Sequence, residues 1–312
     1  MKFELLLENW KRRIKEMSEG KPKAAVLFDG AGFARLGLEQ AGWDCTGFEL
    51  NPIAHWLGSH IGEGKSYLKD VRDVDLSSYD AVWASPPCQI HSVANNQQSA
   101  TEGKYKVDLL NWSLEIPQRF PNVKFLWVEN VSKYKKKENE WGSVYNAAQF
   151  GEEPRQNRNR VIGGNFPEPE VEREYKRYYY ELKDKVCPAI TASEWKWSKT
   201  DKRRANRWFY EKLGRKATYH ELAYRMGLDE VPSEWDEVYN KLLELEKLPR
   251  KERRDSLSDI ENQVGWSQEY PNTNLTTKRW RNELIRAIGN GVYVPMAKRL
   301  GETALKDFHK EE

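Results

Sequence analysis

Buried strands and amphipathic helices alternate along the first half of this chain, and this alternation strongly limits the folds that it can adopt. Four apolar runs have the length and composition of buried strands, at 24–28, 44–50, 79–84 and 123–128. The helical patterns between them lie at 34–41, from about 52, and at 107–118. Strands that are joined through helices form parallel sheets with helices on both faces. We therefore expect an α/β fold with a doubly wound, mostly parallel sheet.

The charges of the chain are nearly balanced, since its formal net charge is only +3. This balance alone does not indicate a nucleic acid partner, but the positive charge is locally concentrated. The basic segments lie at 133–137, 155–160 and 196–207. A hydrophobic content of 38% in 312 residues is enough for one large domain, or for a large and a small domain.

The three cysteines, Cys45, Cys88 and Cys187, are too few for a disulfide framework and suit a reducing compartment. No apolar run has membrane-spanning length, and the N-terminus lacks the pattern of a signal peptide. We therefore expect a soluble cytoplasmic protein that acts as a monomer, with no membrane partner and no metal.

Cys88 stands just after the third predicted strand, in the segment ASPPCQ at 84–89. Two prolines stiffen this turn, and a thiol in such a turn is well placed to attack a substrate. The alternative is a buried structural cysteine, which is the more common role of a free cysteine.

The segment FDGAG at 28–32 lies between the first predicted strand and the first helix. Glycines at this position let a ligand approach the backbone, and the helix N-terminus offers free N–H groups. Glu49 ends the second strand, where a carboxylate can bind the two hydroxyls of a ribose. Asp70 precedes the third strand, where it can meet the exocyclic amine of an adenine or serve as an ordinary turn carboxylate.

Acidic and basic residues also mark the strands further along the chain. Glu129 follows the fourth buried strand, and a buried carboxylate is costly unless it is paired or functional. The segment RQNRNR at 155–160 leads into a short strand at 161–163, so its alternate arginines are predicted to point the same way. They can then reach a phosphate, or a base together with the carboxylate. The structural alternatives are a helix cap or ion pair for Glu129, and a solvated edge strand for the arginines.

Taken together, these motifs resemble those of the DNA cytosine-5 methyltransferases, which use S-adenosylmethionine, and they occur in the same order. The resemblance spans about residues 24–305. It rests on FDGAG at 28–32, Glu49, DV at 70–71, PCQ at 87–89, ENV at 129–131, QNRNR at 156–160, PAITAS at 188–193, TYHELA at 218–223 and GNGV at 289–292. It implies a Rossmann-like methyltransferase fold with a small target-recognition region.

The resemblance also implies roles for individual residues. Cys88 is implied to be the nucleophile that attacks C6 of cytosine, and Glu129 the acid that holds and protonates N3. Arg160, with Arg158, is implied to support the flipped base. The cofactor S-adenosylmethionine is implied to bind Phe28, Asp29, Gly30, Ala31, Gly32, Glu49, Leu50, Asp70, Val71, Pro86, Asn290 and Val292. Contacts with double-stranded DNA are expected from Gln89, Ser92, Asn130, Gln156, Thr191, Ser193, Lys196, Arg203 and Arg204.

Several residues depart from the usual pattern of that family. Asp29 stands where the family often has a small or hydroxyl residue, and Leu50 replaces an aromatic residue that often stacks on the adenine. Ser85 and Pro86 replace the commoner Gly-Phe pair. This variant also occurs in phage members and in the branch that methylates transfer RNA.

The remaining segments predict how the chain is divided. We expect an N-terminal amphipathic helix at 1–22, a catalytic and cofactor-binding domain at 23–166, and a C-terminal helix at 276–312 that completes this domain. Residues 167–275 are predicted to hold the target-recognition region, which is rich in aromatic and basic residues, and a charged helical insert. The inner face of that insert is predicted to carry Leu242, Leu243, Leu245 and Leu248.

The sequence therefore predicts a bacterial or phage DNA (cytosine-5-)-methyltransferase, of the kind found in restriction-modification systems. It would transfer a methyl group to C5 of cytosine in DNA through a covalent Cys88–C6 intermediate, with base flipping. Three alternatives stay open at this point. They are an RNA (tRNA) cytosine-5 methyltransferase, an enzyme that transfers a modified group from an S-adenosylmethionine analogue, and a catalytically silent DNA-binding regulator.

Overall fold

The computed structural model describes residues 20–87, 108–131, 141–150, 156–171, 187–190 and 205–310, without the side chains of 205–207. Nearly all of the predicted N-terminal helix at 1–22 lies outside these ranges. Cys88 lies outside them as well, whereas the two prolines before it lie inside.

The described residues form a seven-stranded sheet with the strand order β3-β2-β1-β4-β5-β7-β6. The strands are β1 (Lys23–Leu27), β2 (Asp44–Glu49), β3 (Lys65–Leu68), β4 (Ala81–Ala84), β5 (Phe125–Val131), β6 (Gly142–Asn146) and β7 (Asn159–Gly163). Strands β1 to β5 pair in parallel, whereas β7 is antiparallel to both β5 and β6. The predicted doubly wound, mostly parallel α/β sheet is confirmed. Its strand order reverses between β1 and β4.

Helices connect most of these strands and continue the chain beyond the sheet. They are α1 (Phe33–Ala41), α2 (Pro52–Gly58), α3 (Leu109–Leu114), α4 (Ile116–Arg119), α5 (Ala205–Leu213), α6 (Tyr219–Arg225), α7 (Ser233–Lys247), α8 (Arg250–Gln263), α9 (Trp266–Glu269), α10 (Thr277–Asn290) and α11 (Val294–Phe308). The single helix predicted at 107–118 is two short helices, because Pro117 has no N–H group for a continuous helix. Within the described ranges, no helix is long and apolar enough to cross a lipid bilayer.

Hydrophobic side chains are buried on both faces of the sheet. In β1, Ala24 and Val26 belong to one buried cluster, and Ala25 and Leu27 belong to the other, as the alternation of a strand requires. Helix α11 packs on α1 in the first cluster, where Trp43 Nε1 donates a hydrogen bond to the carbonyl oxygen of Gly301 over 3.0 Å. The end of the described chain therefore returns to the sheet.

A third hydrophobic cluster lies among α5 to α10, outside the two clusters on the sheet, and includes part of α2. Trp235 and Trp280 are completely buried in this core, and Trp235 Nε1 donates a hydrogen bond to the carbonyl oxygen of Leu57 over 3.2 Å. These contacts hold α7 and α10 against α2, which directly follows β2. The prediction for the inner face of the insert is wrong at two positions, because Leu243 and Leu248 are 39% and 38% exposed.

Candidate functional site

A cavity of about 300 Å³ lies at the carboxyl ends of β1, β2, β4 and β5. In open α/β sheets, ligands bind at this edge, next to the point where the strand order reverses. The cavity contains residues from both predicted parts of the site, the cofactor pocket and the catalytic group. The predicted site residues that line it are Phe28, Asp29, Gly30, Glu49, Pro86, Glu129, Asn130, Arg160, Asn290 and Val292.

The loop between β1 and α1 bends sharply at the floor of this cavity. Phe28 has a φ of 58°, which lies in the left-handed region that residues with a side chain rarely adopt. Gly58, at the end of α2, comes so close that a Cβ atom there would lie 2.8 Å from the carbonyl oxygen of Gly30. The loop is therefore held in a strained and closely packed conformation, which is typical of ligand sites.

Glu49 connects this loop to the start of α2. Its Oε2 accepts a hydrogen bond from Gly30 N over 2.8 Å, and its Oε1 accepts from Leu50 N and Asn51 N over 2.9 and 2.8 Å. Burial raises the pKa of the Glu49 carboxyl, and the backbone N–H groups oppose that rise. Because Oε2 accepts only one of these bonds, it keeps capacity for the hydroxyl of a ligand.

Asp29 forms an ion pair that is completely buried below the loop. Arg35 Nε lies 3.0 Å from Asp29 Oδ2, and both side chains have no exposed surface. The other Arg35 nitrogens donate to Glu39, to Gly64 O and to Gly58 O. The side chain of Asp29 therefore supports the loop from below, and the residue reaches the cavity through its backbone.

Glu129 and Arg160 form a second ion pair, and this pair lies in the cavity wall. Arg160 Nε lies 2.7 Å from Glu129 Oε1, and Glu129 is only 6% exposed. The neighbouring Asn130 donates a hydrogen bond from Nδ2 to the carbonyl oxygen of Pro86 over 3.3 Å. Pro87, the residue directly before Cys88, lines the same cavity. The strand end that carries the carboxylate is thus tied to the turn that leads to the cysteine.

Arg158 has different partners from Arg160, although the sequence predicts that both point the same way. It is 1% exposed and donates to the carbonyl oxygens of Ile190, Gly291 and Gly289, over 2.5, 2.8 and 3.2 Å. It does not line the cavity, because its guanidinium is directed to these backbone groups. In this position Arg158 joins the segment at 187–190 to the segment that follows α10.

Some predicted ligand contacts lie elsewhere in the structure. Gln156 is completely buried, and its amide bonds internally with Arg225 O and Ile190 N, so it has no surface for DNA. Leu50 is 63% exposed and does not line the cavity. Asp70 also lies outside the wall and pairs with Arg72, whose hydrogen bonds lower the pKa of this carboxyl. Two further members of the predicted pocket, Ala31 and Val71, are buried, and neither they nor Gly32 line this cavity.

Several predicted residues cannot be placed, because they lie outside the described ranges. They are Cys88, Gln89, Ser92, Thr191, Ser193, Lys196, Arg203 and Arg204. Their roles remain predictions from the sequence. In the part of the chain that the structure describes, no group of three or more His, Cys, Asp or Glu residues is arranged to hold a metal ion.

Other residues also line the cavity, although no contact with a ligand was predicted for them. They are Ala34, Asn51, Ile53, Ala54, Leu57, Ser85, Pro87, Val131, Glu283, Arg286, Ala287, Gly289 and Gly291. Four of them lie on α10, and three of these four, at positions 283, 286 and 287, share a helix face with Asn290. This spacing is a signal that was available in the sequence, by following the helix back from Asn290.

Comparisons with known proteins concern the fold and the family of this chain. The solved structure of the Entamoeba histolytica methyltransferase EhMeth matches with a TM-score of 0.51 and 14% identity, covering 93% of this chain and 99% of that chain. A prophage-encoded DNA modification methyltransferase of E. coli matches with a TM-score of 0.45 and 13% identity, again covering 93% and 99%. A comparison with curated protein sequences gives no significant match. Residues 23–263 match the sequence model for C-5 cytosine-specific DNA methylases, and the chain therefore belongs to the family of C-5 cytosine-specific DNA methylases.

Proposed function

We propose that this protein transfers a methyl group from S-adenosylmethionine to C5 of cytosine in double-stranded DNA, through a covalent bond between Cys88 and C6. One observation carries this proposal. The Glu129–Arg160 ion pair and Pro87 line the same cavity as Glu49 and the loop after β1. A base held by the ion pair and a methyl donor held by Glu49 would therefore meet in one enclosed space.

The residues around Glu49 fit the proposed cofactor. Glu49 Oε2 can accept a hydrogen bond from a ribose hydroxyl, and the closely packed loop exposes backbone near Gly30. Asn290 and Val292 line the cavity from the segment that Arg158 holds in place. When bound, S-adenosylmethionine supplies an electrophilic methyl group on a sulfonium centre. Each of these residues binds or orients the donor and does not react with it.

The chemistry of cytosine requires the protein groups that the family motifs provide. C5 is a weak nucleophile, and addition of the Cys88 thiolate to C6 turns the ring into an enamine that reacts at C5. Glu129 gives a proton to N3, which prevents full negative charge on the ring. After C5 has gained the methyl group, it loses its proton to a base and the Cys88–C6 bond breaks. The thiolate is regenerated and the ring recovers its aromaticity.

Arg160 and Arg158 support this reaction in different ways. Arg160 holds one oxygen of Glu129, and Glu129 Oε2 has no hydrogen-bond partner within the described part of the chain, so it is available to N3. Arg158 acts as a positioning residue through the backbone of 289–291. Since a base within a duplex cannot enter such a cavity, the target cytosine must flip out of the stack.

A mechanism-based substrate tests the covalent step. Duplex DNA with 5-fluorocytosine at the target position should trap wild-type protein as an adduct that survives denaturing electrophoresis, because fluorine blocks loss of the C5 substituent. Cys88→Ala should form no adduct and should not methylate. Cys45→Ala and Cys187→Ala are matched controls that remove the two buried thiols, and both should retain the adduct. A Cys88→Ala protein that still methylates cytosine would refute the proposal.

The same assay separates the proposed DNA substrate from RNA. When unmodified duplex DNA and unmodified transfer RNA are offered as substrates, methyl transfer should occur on the DNA. Transfer confined to RNA would keep the chemistry and contradict the DNA assignment. The division of the chain into a catalytic domain at 23–166 and 276–312 and a recognition region within 167–275 forms part of this proposal.

A further inference from the structure

One face of α10 forms a wall of the cavity. Glu283, Arg286, Ala287 and Asn290 all line the cavity, and their spacing of three, four and seven residues places them on one side of the helix. Asn290 belongs to the predicted cofactor pocket, whereas the other three residues have no assigned role. The wall that holds Asn290 thus carries a guanidinium one helical turn away.

The Arg286 guanidinium is held at one end. Its Nη1 donates a hydrogen bond to the hydroxyl of Tyr270 over 2.9 Å and lies 3.3 Å from Glu283 Oε2. Within the described ranges, its Nε and Nη2 have no hydrogen-bond partner. The side chain of Arg286 is 41% exposed. One edge of the guanidinium is therefore fixed by the protein, and the rest is available to a ligand.

The N–H groups of Arg286 that the protein leaves free offer a place for an anionic group in a cavity wall whose other charged side chains are mostly carboxylates. Three carboxylates, from Glu49, Glu129 and Glu283, lie in the wall, and Arg160 is already paired with Glu129. S-adenosylmethionine carries two positive groups and one negative group, the carboxylate of its amino-acid part. A guanidinium with free N–H groups is the natural partner of a carboxylate, because its planar edge matches the two oxygens.

We infer that Arg286 binds the carboxylate of the cofactor's amino-acid part, with Tyr270 and Glu283 as positioning residues. The inference rests on the proposed function, since it assumes that S-adenosylmethionine occupies this cavity. Arg286 then distinguishes ligands that carry the amino-acid part from nucleosides that lack it.

Two probes that share the nucleoside test this assignment. S-adenosylhomocysteine has the amino-acid part, whereas 5′-methylthioadenosine has the same adenine, ribose and thioether without it. Calorimetry on the full chain should show that Arg286→Ala weakens binding of S-adenosylhomocysteine by roughly 10- to 100-fold, the range for a hydrogen bond to a charged group. Binding of 5′-methylthioadenosine should stay at the wild-type level. Tyr270→Phe should weaken binding of S-adenosylhomocysteine only, and by less than Arg286→Ala does.

Matched variants separate binding from folding. Arg279→Ala removes another arginine of α10, whose Nη1 donates to Asn274 O, and should leave both affinities unchanged. Arg286→Lys keeps the charge without the planar edge and should give an intermediate loss. An Arg286→Ala protein that loses affinity for both ligands equally would indicate a structural role and overturn the inference. Unchanged affinity for both would overturn it as well.

DNA is the other source of an anion for this guanidinium. If Arg286→Ala binds S-adenosylhomocysteine normally but binds DNA more weakly, with a smaller dependence on salt, the anion is a phosphate and the inference is wrong. Wild-type protein that binds neither nucleoside would instead refute the proposed function, and the inference with it. The two failures are therefore distinguishable.

Discussion

Arg160 Nε lies 2.7 Å from Glu129 Oε1, across the antiparallel pair of β7 and β5. This single contact joins two residues that lie 31 positions apart in the sequence, and it does so in the wall of the cavity. The pair leaves Glu129 with one oxygen for a ligand. It also makes the two residues energetically dependent on each other, since removal of either charge leaves the other buried.

The first prediction concerns this carboxylate. Glu129→Gln keeps the shape of the side chain but cannot protonate N3, so methyl transfer should fall about 10²- to 10⁴-fold in single-turnover assays. Affinity for S-adenosylhomocysteine should stay unchanged, because Glu129 acts on the base. Glu115→Gln, at an exposed position between α3 and α4, is the matched control and should keep full activity. Normal turnover by Glu129→Gln would exclude it as the acid.

A second prediction concerns the proposed ribose contact. Glu49→Ala should weaken cofactor binding by about 1–3 kcal/mol, because it removes hydrogen bonds to the ribose and the carboxylate that holds Gly30 N. Unlike Arg286→Ala, this change should weaken the binding of S-adenosylhomocysteine and of 5′-methylthioadenosine to a similar extent, since both ligands contain the ribose. DNA binding should change little.

Calorimetry of both ligands checks the Glu49 prediction, with the exposed Glu63→Gln as the control. Unaltered affinity in a folded Glu49→Ala protein would remove this residue from the cofactor site. Weaker binding of S-adenosylhomocysteine alone would mean that Glu49 contacts the amino-acid part of the cofactor and not its ribose.

The parts of the fold that could be predicted from the sequence are those with a strong local pattern. Strands β1, β2, β4 and β5 have apolar runs, because the sheet buries them on both faces. Strand β3 (Lys65–Leu68) was not predicted, since as an edge strand it is half-buried at most and carries no apolar run. Strand β6, at the other edge, also carries no apolar run and was not predicted, although its Tyr145 and Asn146 are buried.

The different placement of Arg158 and Arg160 could not be predicted, because it depends on groups that are distant in the sequence. Arg158 lies just before β7 begins, so the alternation of a strand does not yet apply to it. Its partners, Gly289 and Gly291, are more than a hundred residues away. Periodicity also failed for Leu243, since an apolar residue on a charged helix is not forced inward when its neighbours already fill the core.

A third prediction follows from the N-terminus of α6, where Glu221 accepts hydrogen bonds from Arg215 and from the backbone of Thr218. The side-chain hydrogen bonds from Arg215 lower the pKa of Glu221 to about 2. A carboxyl whose pKa is lower in the folded state stabilises that state above its unfolded pKa. This contribution is lost as the pH falls from the ordinary range of a glutamate toward about 2.

Urea unfolding at pH 6 and pH 3 checks the Glu221 contribution. Wild-type protein should lose more stability between these pH values than Glu221→Gln, by a modest amount because the carboxyl is largely solvated. Glu230→Gln, at an exposed position nine residues further along the chain, should show the same pH dependence of stability as wild type. Identical pH dependence of wild type and Glu221→Gln would contradict the assigned role.

The last prediction concerns the buried network of Asp29 and Arg35, which replaces the small residue that the family often has at position 29. Asp29→Ser leaves a buried guanidinium without the carboxylate that contacts its Nε, and we expect a loss of about 3–5 kcal/mol in the free energy of unfolding. Arg35→Met should also destabilise strongly, because Asp29 and the carbonyl oxygens of Gly58 and Gly64 lose their donor. Both changes disrupt one network, so the double variant should be less destabilised than the sum of the two.

A parallel cycle on Glu244 and Lys247 provides the control. These residues lie 2.7 Å apart but are 72% and 69% exposed, so their coupling should be close to zero. Additive effects at Asp29 and Arg35 would mean that the two residues act independently, against the 3.0 Å contact between them. With coupling present, the variants should also bind S-adenosylhomocysteine more weakly than wild type at temperatures where they remain folded, because the network supports the loop that approaches the ligand.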